Sequence, residues 1–347
     1  MLTGTPITYN GQEAMELIIR PGIATGKIED FFKVVPGVKE KQQVIFTKPV
    51  YKITHIDQGC GSSPDNPVIE RTQKYWYPDP VEAWLDQCYT DLNGTLFEKQ
   101  LKSGNDRPDL TGTKVERFML DLVEPAAYSD MLRMVWLGKK TINAAELTAA
   151  GDVKNYNQTD GIWTKIFAAV IANLIPRVVI AENQNAAGNQ TLVDGSAINY
   201  LKKVVLNARP VLKQVDLDKK VLFVTRGIYE DYESYLESKG NLESSFTKLQ
   251  DGQKTLSYRG IALQIVDIVD QFLTADFAPA AGGGAITLPN RIILTVKDNF
   301  QVGVDTDTAN PEAFDVWYER KDKKWNARLM YRLCTQIALE EYVSVAY

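Results

Sequence analysis

The chain has one histidine, His55, in 347 residues. That scarcity excludes an HExxH motif and any multi-histidine metal centre. A Ser-His-Asp or Cys-His arrangement would have to use His55. It lies in an alternating, strand-like stretch with Tyr51 and Ile53, where a surface position on a hairpin is the plainer reading. Cysteine is equally scarce: Cys60, Cys88 and Cys334 are far apart and form no CxxC pair. This argues against a disulfide framework or a zinc site and fits a reducing compartment. The longest unbroken apolar run, 166–172, is far short of the roughly 20 residues a membrane span needs. The first residues carry no basic segment and no apolar core, so no signal peptide is expected. Nor is there an excess of base. Lys plus Arg is 39 against 44 Asp plus Glu, a net charge of −5, which suits a broad grip on nucleic acid poorly.

Phosphate and metal motifs are incomplete wherever they begin. The stretch Leu137-Gly138-Lys139-Lys140-Thr141 has the tail of a P-loop, but Arg133 stands where its first glycine belongs. Gly59 and Gly61 open a GxG that ends at Pro64. Gly282, Gly283 and Gly284 sit in an Ala/Pro/Gly stretch with the composition of a flexible surface loop. Asp305 and Asp307 begin a calcium-loop pattern that Ala309 breaks. Neighbouring acids such as Asp267 and Asp270, or Glu340 and Glu341, carry no signal in a chain with 44 acids. No cofactor, metal or catalytic constellation is expected from these residues.

What the chain does have is patterned segments separated by long polar stretches. Residues 1–41 form an arm with one short helical pattern, 13–19, between Pro-Gly breaks. Loose alternation through Val44, Phe46, Tyr51, Ile53 and His55, a Gly/Ser/Pro tip, and a returning stretch ending in Tyr75, Trp76 and Tyr77 predict a long β-hairpin over 42–77. Val81, Trp84, Leu85 and Cys88 at 3–4 spacing predict a helix in 81–101. Thr113 is a cap candidate for a long helix, 113–136, with Pro125 expected to kink or divide it. A loop-like stretch covers 141–160.

Further helices are expected over 161–174, with Ile162, Ile166, Ala169, Val170 and Asn173 on one face, over 196–208 with Ser196 as cap, and through Tyr229, Tyr232 and Leu236, closed by Gly240. Continuous apolar runs at 221–225 and 292–296 predict buried strands, and 256–266 a strand bent at Gly260. Together these give a mixed sheet with helices on its faces, an α+β domain. The clearest pattern comes last. Phe314, Val316 and Tyr318, then a charged turn, then Trp325, Ala327, Leu329, Tyr331 and Leu333 predict a long antiparallel hairpin of about ten residues per arm.

This order of elements is an arm, a long hairpin, a long helix, a mixed α+β region and a long strand pair. It resembles the major capsid proteins of tailed bacteriophages, whose shell fold is the Hong Kong 97-type fold. Local stretches are similar too: the strand-then-helix unit at 221–232, the strand–Gly–strand step at 256–263, and 299–305 followed by the terminal hairpin.

The resemblance implies an N-terminal arm at 1–41 and an extended loop at 42–77 that overlaps a neighbour. It implies a peripheral domain at 78–150 and 298–335, with the long helix as its spine. An axial domain follows at 151–297 and 336–347. It also implies hexamers and pentamers of a shell around double-stranded DNA, bound without sequence specificity, in a virion assembled in a host cytoplasm. Portal, scaffolding or decoration proteins are the implied partners. No cleaved scaffolding segment is expected ahead of the arm. Tyr51, Ile53, His55, Tyr75, Trp76 and Tyr77 on the hairpin are the expected inter-subunit contacts. Two other readings stay open on the residues alone: a cofactor-free enzyme using paired carboxylates, which leave no sequence signature, and another structural part of a virion.

Overall fold

The computed structural model describes residues 28–47, 71–93, 98–185, 189–240, 246–248, 254–277, 287–305 and 315–347. The expectations for 1–27, for the hairpin tip at 48–70 and for the glycine loop at 282–284 lie outside them. A single helical turn, α1 (Ile28–Phe31), leads into the short strand β1 (Lys33–Val35). Then β2 (Gln42–Thr47) and β3 (Arg71–Trp76) pair as an antiparallel hairpin in register Gln42–Trp76 to Thr47–Arg71.

The helix expected at 81–101 is instead a ten-residue strand, β4 (Asp79–Cys88), followed by a 3-10 turn. The apolar positions fit both periods. Val81 and Gln87 are buried and Glu82 and Trp84 exposed, an alternation that a partner strand rewards and an isolated helix does not. Pro80 is tolerated because β4 pairs on one side only.

α2 (Lys114–Leu137) is a single helix through Pro125. Pro125 and Asp121, whose carbonyl would have taken the missing N–H bond, both face solvent. The predicted cap holds: Thr113 Oγ1 accepts from the Glu116 N–H at 3.3 Å, and Glu116 Oε2 accepts from the Gly112 N–H at 2.6 Å. The P-loop-like Gly138 caps the other end. A side chain there would sit 2.4 Å from the carbonyl oxygen of Thr159, so its glycine serves a close backbone approach.

After α3 (Val153–Tyr156), α4 (Ile162–Ile171) buries Ile162, Ile166 and Ala169 as expected. Asn173 does not continue that face. It ends the helix in the left-handed region at φ 56°. β5 (Arg177–Val178) and α5 (Ala197–Asn207) follow, then α6 (Pro210–Gln214), β6 (Lys220–Val224) and α7 (Arg226–Ser238). The chain continues through β7 (Phe246–Lys248), β8 (Lys254–Tyr258) and β9 (Ile261–Ile265). The bend expected at Gly260 is a tight hairpin turn. Arg259 and Gly260 both have positive φ, 54° and 80°, the geometry that matches strand twist in a two-residue loop. The last elements are α8 (Asp267–Asp276), β10 (Ile292–Val296), β11 (Phe300–Val304), β12 (Asp315–Glu319), β13 (Lys324–Ile337) and β14 (Val343–Ala346). In the terminal hairpin, Asp315–Glu319 pairs with Lys324–Arg328 among the described residues, and Phe314 lies outside them.

The strands form two large sheets. One runs β1-β11-β13-β12, with β4 on the other edge of β13. The second runs β5-β14-β10-β6-β9-β8-β7. Its central strands are covered on both sides: Val221 and Phe223 join a core under α2 and α4, and Leu222 and Val224 join another under α5 and α7. Two-sided burial is why β6 reads as an unbroken apolar run. The first of these cores also takes Phe300, Leu329, Tyr331 and Leu333 from the other sheet, so both sheets share it.

Helix starts are capped in relay. Ser196 does not cap α5, and its hydroxyl has no partner. Instead the Asp231 carboxylate on α7 accepts from the Gly195 and Ala197 N–H groups, both at 2.7 Å. Asp270 on α8 likewise accepts from the Arg226 N–H at the start of α7, at 2.7 Å. Arg291 is buried between Leu288 O, Thr287 O and the ring of Trp163, 4.6 Å from its guanidinium.

Two outcomes follow. Leu329 is buried on β13 and Arg328 points outward. Leu329→Asp should cost several kcal/mol, on the order of a domain's whole stability, while Arg328→Ala should cost at most about 1 kcal/mol; thermal unfolding of the two variants checks both. Burial lifts the Asp270 carboxyl to about 7. Between roughly pH 4 and 7 the folded chain then holds a proton that the unfolded chain releases. This group's contribution is full below about pH 4 and lost as pH rises to 7. Asp270→Asn keeps an acceptor for Arg226 and should remove that slope, worth on the order of 2–4 kcal/mol. Urea unfolding across pH 4–7 measures it.

Candidate functional site

The β2–β3 hairpin forms a sheet of its own. A two-stranded hairpin is marginal alone in water, so its attachments matter. Alternation divides its residues into two faces. Val44, Lys74 and Trp76 turn toward the body. Trp76 is 2% exposed and packs with Val38 and Cys334, with Val35 and Val44 beside them. Gly303 on β11 makes room for the ring. A Cβ there would lie 2.7 Å from Cys334 Sγ and 3.1 Å from Trp76. Lys74 Nζ donates to the carbonyl of Ile337 and to Glu340 Oε1, both at 2.5 Å.

The opposite face is open. Tyr75 and Tyr77 are 40% and 56% exposed, with rings 6.3 Å apart. Lys41 Nζ lies 4.7 Å from the first ring and 5.0 Å from the second. Ile45 is exposed beside them. Aromatic rings with polar edges, a cation and an exposed Ile make a surface of the composition found where proteins meet.

Of the six residues expected at a subunit contact, Tyr51, Ile53 and His55 lie outside the described residues. Tyr75 and Tyr77 are exposed together. Trp76 does not join them. The pleat points it the other way, into the chain's own core, so a run of three aromatics yields two surface residues and one anchor.

A second open surface was hidden by the helical reading of 81–101. On the outward face of β4, β13 and β12, Trp84 and Met330 are 60% and 59% exposed. Trp84 lies 6.4 Å from Trp317 and stacks under Arg328. Cross-strand ion pairs, Arg328–Glu82 and Lys324–Asp86, border it. Period-2 spacing of Glu82, Trp84 and Asp86 was the signal available.

Beneath the hairpin root lies a charged cluster. Lys165 Nζ donates to the Thr335 carbonyl. Burial lowers its ammonium to about 8, with Lys74 and Lys140 adding repulsion against the pull of Asp160. Burial likewise pushes the Cys334 thiol up to about 12, far from a reactive thiolate. Among the described residues, no group of three His, Cys, Asp or Glu could hold a metal ion. No described helix is long and apolar enough to cross a membrane. A cleft of about 940 Å³ opens between α7 and the 190–195 and 287–290 segments. The neighbouring carboxylates Asp267 and Asp270 are occupied structurally, the first by Arg226 at 2.6 Å and the second at the start of α7.

No protein-family model matches the chain, and no curated protein matches it in sequence. Solved structures do match, over nearly the whole chain. The capsid of Myoviridae phage XM1 has a TM-score of 0.54 at 10% identity, over 96% of this chain and 96% of that one. The satellite phage P4 procapsid scores 0.51 at 11% identity, over 91% and 92%. The capsid of a native GTA particle scores 0.51 at 10% identity, over 98% and 95%. The chain thus has the α+β fold of phage capsid chains, the Hong Kong 97-type shell fold.

The root geometry gives a direct test. Gly303→Val should force Trp76 and Cys334 apart and cost about 1–3 kcal/mol. Thermal unfolding should show the loss, and β2–β3 amides should exchange faster. Unchanged exchange would mean that the ring does not anchor the hairpin.

Proposed function

We propose that this chain is the major capsid protein of a tailed bacteriophage. Its copies self-assemble as hexamers and pentamers into an icosahedral head shell around double-stranded DNA. The observation that carries this reading is coverage in both directions: 96% of this chain lies on 96% of a phage capsid chain. Two shell subunits with one job are expected to share a whole chain, not one domain.

The parts take their roles from the sheets. The hairpin at 42–77 is the extended loop that reaches a neighbouring copy through Tyr75, Tyr77 and Lys41. The sheet containing β13, with α2 beside it, forms the peripheral domain at 78–150 and 298–335. The seven-stranded sheet belongs to the axial domain at 151–297 and 336–347. Tyr51, Ile53 and His55 complete the contact. The partners are further copies of the chain, with portal, scaffolding and decoration proteins where the particle has them. The net charge of −5 suits a wall that lets DNA pack without adhering. The role is structural rather than enzymatic, in virions assembled in the host cytoplasm.

Electron microscopy of the expressed protein, with scaffold supplied, should show closed shells; a strictly monomeric species at high concentration by light scattering would overturn the reading. A finer test removes the loop. Replacing residues 48–70 with Asn-Gly continues the Thr47–Arg71 register through a two-residue turn. This chain should fold and stay soluble yet assemble poorly. Particles of normal yield and heat resistance would show that the loop is not a contact.

A further inference from the structure

β4 leaves β13 after the Asp79–Leu333 pair. The carbonyls of Thr335 and Ile337, just beyond, are taken by two side chains: Lys165 Nζ and Lys74 Nζ. Lys74 comes from β3, which has no main-chain ladder to either large sheet. Its ammonium ties the hairpin to the carbonyl edge of β13 and to Glu340, in the 3-10 turn before β14. Both side chains are largely shielded, 14% and 27% exposed, so the pair is weakly screened by salt. Like charges crowd it. Lys165 and Lys140 share this region, balanced by Asp79, which holds Lys140 at 2.7 Å, and by Asp160.

The Trp76 ring fixes where the hairpin is rooted. One ring in a slot leaves the tilt of a two-stranded ribbon to whatever holds its next residues. Lys74, two residues along the same face, supplies a polar hold there, bonding both the end of β13 and the turn that follows it.

We infer that Lys74 and Glu340 are a positioning pair that sets the tilt of the β2–β3 hairpin on the body, and with it the angle at which its open face meets a second copy. This rests on the shell reading above, because a hairpin's tilt matters only if another copy engages it. In a shell, tilt becomes curvature, so loosening the pair should broaden particle size before it abolishes assembly.

The experiment compares wild type, Lys74→Arg, Glu340→Gln and Lys74→Met as full chains. Hydrogen exchange is followed in β2 and β3 with β6 and β10 as internal references, and particle diameters are measured by electron microscopy. Lys74→Met should speed β2–β3 exchange at least tenfold with β6 and β10 unchanged, and broaden the diameters. Glu340→Gln keeps the Ile337 bond and should lie between, at about threefold. Lys74→Arg should stay within twofold of wild type. Hairpin exchange within twofold of wild type in both Lys74→Met and Glu340→Gln would overturn the inference, as would faster exchange with an unchanged diameter distribution. If Lys74→Met also loosens β6 and β10, the Glu340→Gln result decides. Wild type that never forms particles would overturn the shell reading instead, while its hairpin exchange would still report on the pair.

Discussion

The two large sheets are held as one body by a cluster of five aromatic rings. Trp136, at the end of α2, lies 4.8 Å from Phe32, 5.7 Å from Phe223 and 6.4 Å from Phe300. Phe223 belongs to the seven-stranded sheet and Phe300 to the other, and the two stack at 6.1 Å. Phe31 closes the cluster against both Trp136 and Phe223. Rings of this size bury large areas and prefer the edge-on and offset contacts seen here. A single shared core means that neither sheet can tilt freely against the other. Under the shell function proposed above, such a body would carry force from one edge to the opposite edge.

Onto this rigid body the chain adds an element that is not rigid by itself. The β2–β3 hairpin brings no core of its own; it borrows a slot made by Gly303, Val38 and Cys334 and an ammonium contact through Lys74. Its open face and the Trp84–Trp317–Met330 face are two places where aromatic area stays in water. Exposed patches of that kind mark contact surfaces in soluble proteins. The division of labour is physical: stiffness comes from the shared core, and adjustability from the weakly attached ribbon.

Much of the fold was legible from the residues. Two-sided burial makes β6 and β10 continuous apolar runs, and one-sided burial makes β13 alternate, so period alone identified them. The Thr113 cap and the long helix α2 were legible because the capping bonds are local. Several errors share one cause, competition settled by partners distant in sequence. Val81, Trp84, Leu85 and Cys88 fit a helix until β13 supplies ten residues of ladder. Ser196 looks like a cap until Asp231, on another helix, supplies a better acceptor. The aromatic run 75–77 was visible as a contact candidate, but which ring turns inward depends on where the body lies.

The order of the chain's patterned segments by itself carried the α+β shell fold, while one histidine and three scattered cysteines argued against a multi-histidine metal centre or a disulfide framework. Period and capping are short-range properties, fixed by residues within a few positions of each other. The tertiary structure alone decided which surfaces remain open and how the hairpin is held. Trp76 meets Cys334, and Lys74 meets Ile337 and Glu340, across more than 250 residues. No local pattern encodes such pairings, because they exist only once the shared core has brought β3 and β13 together.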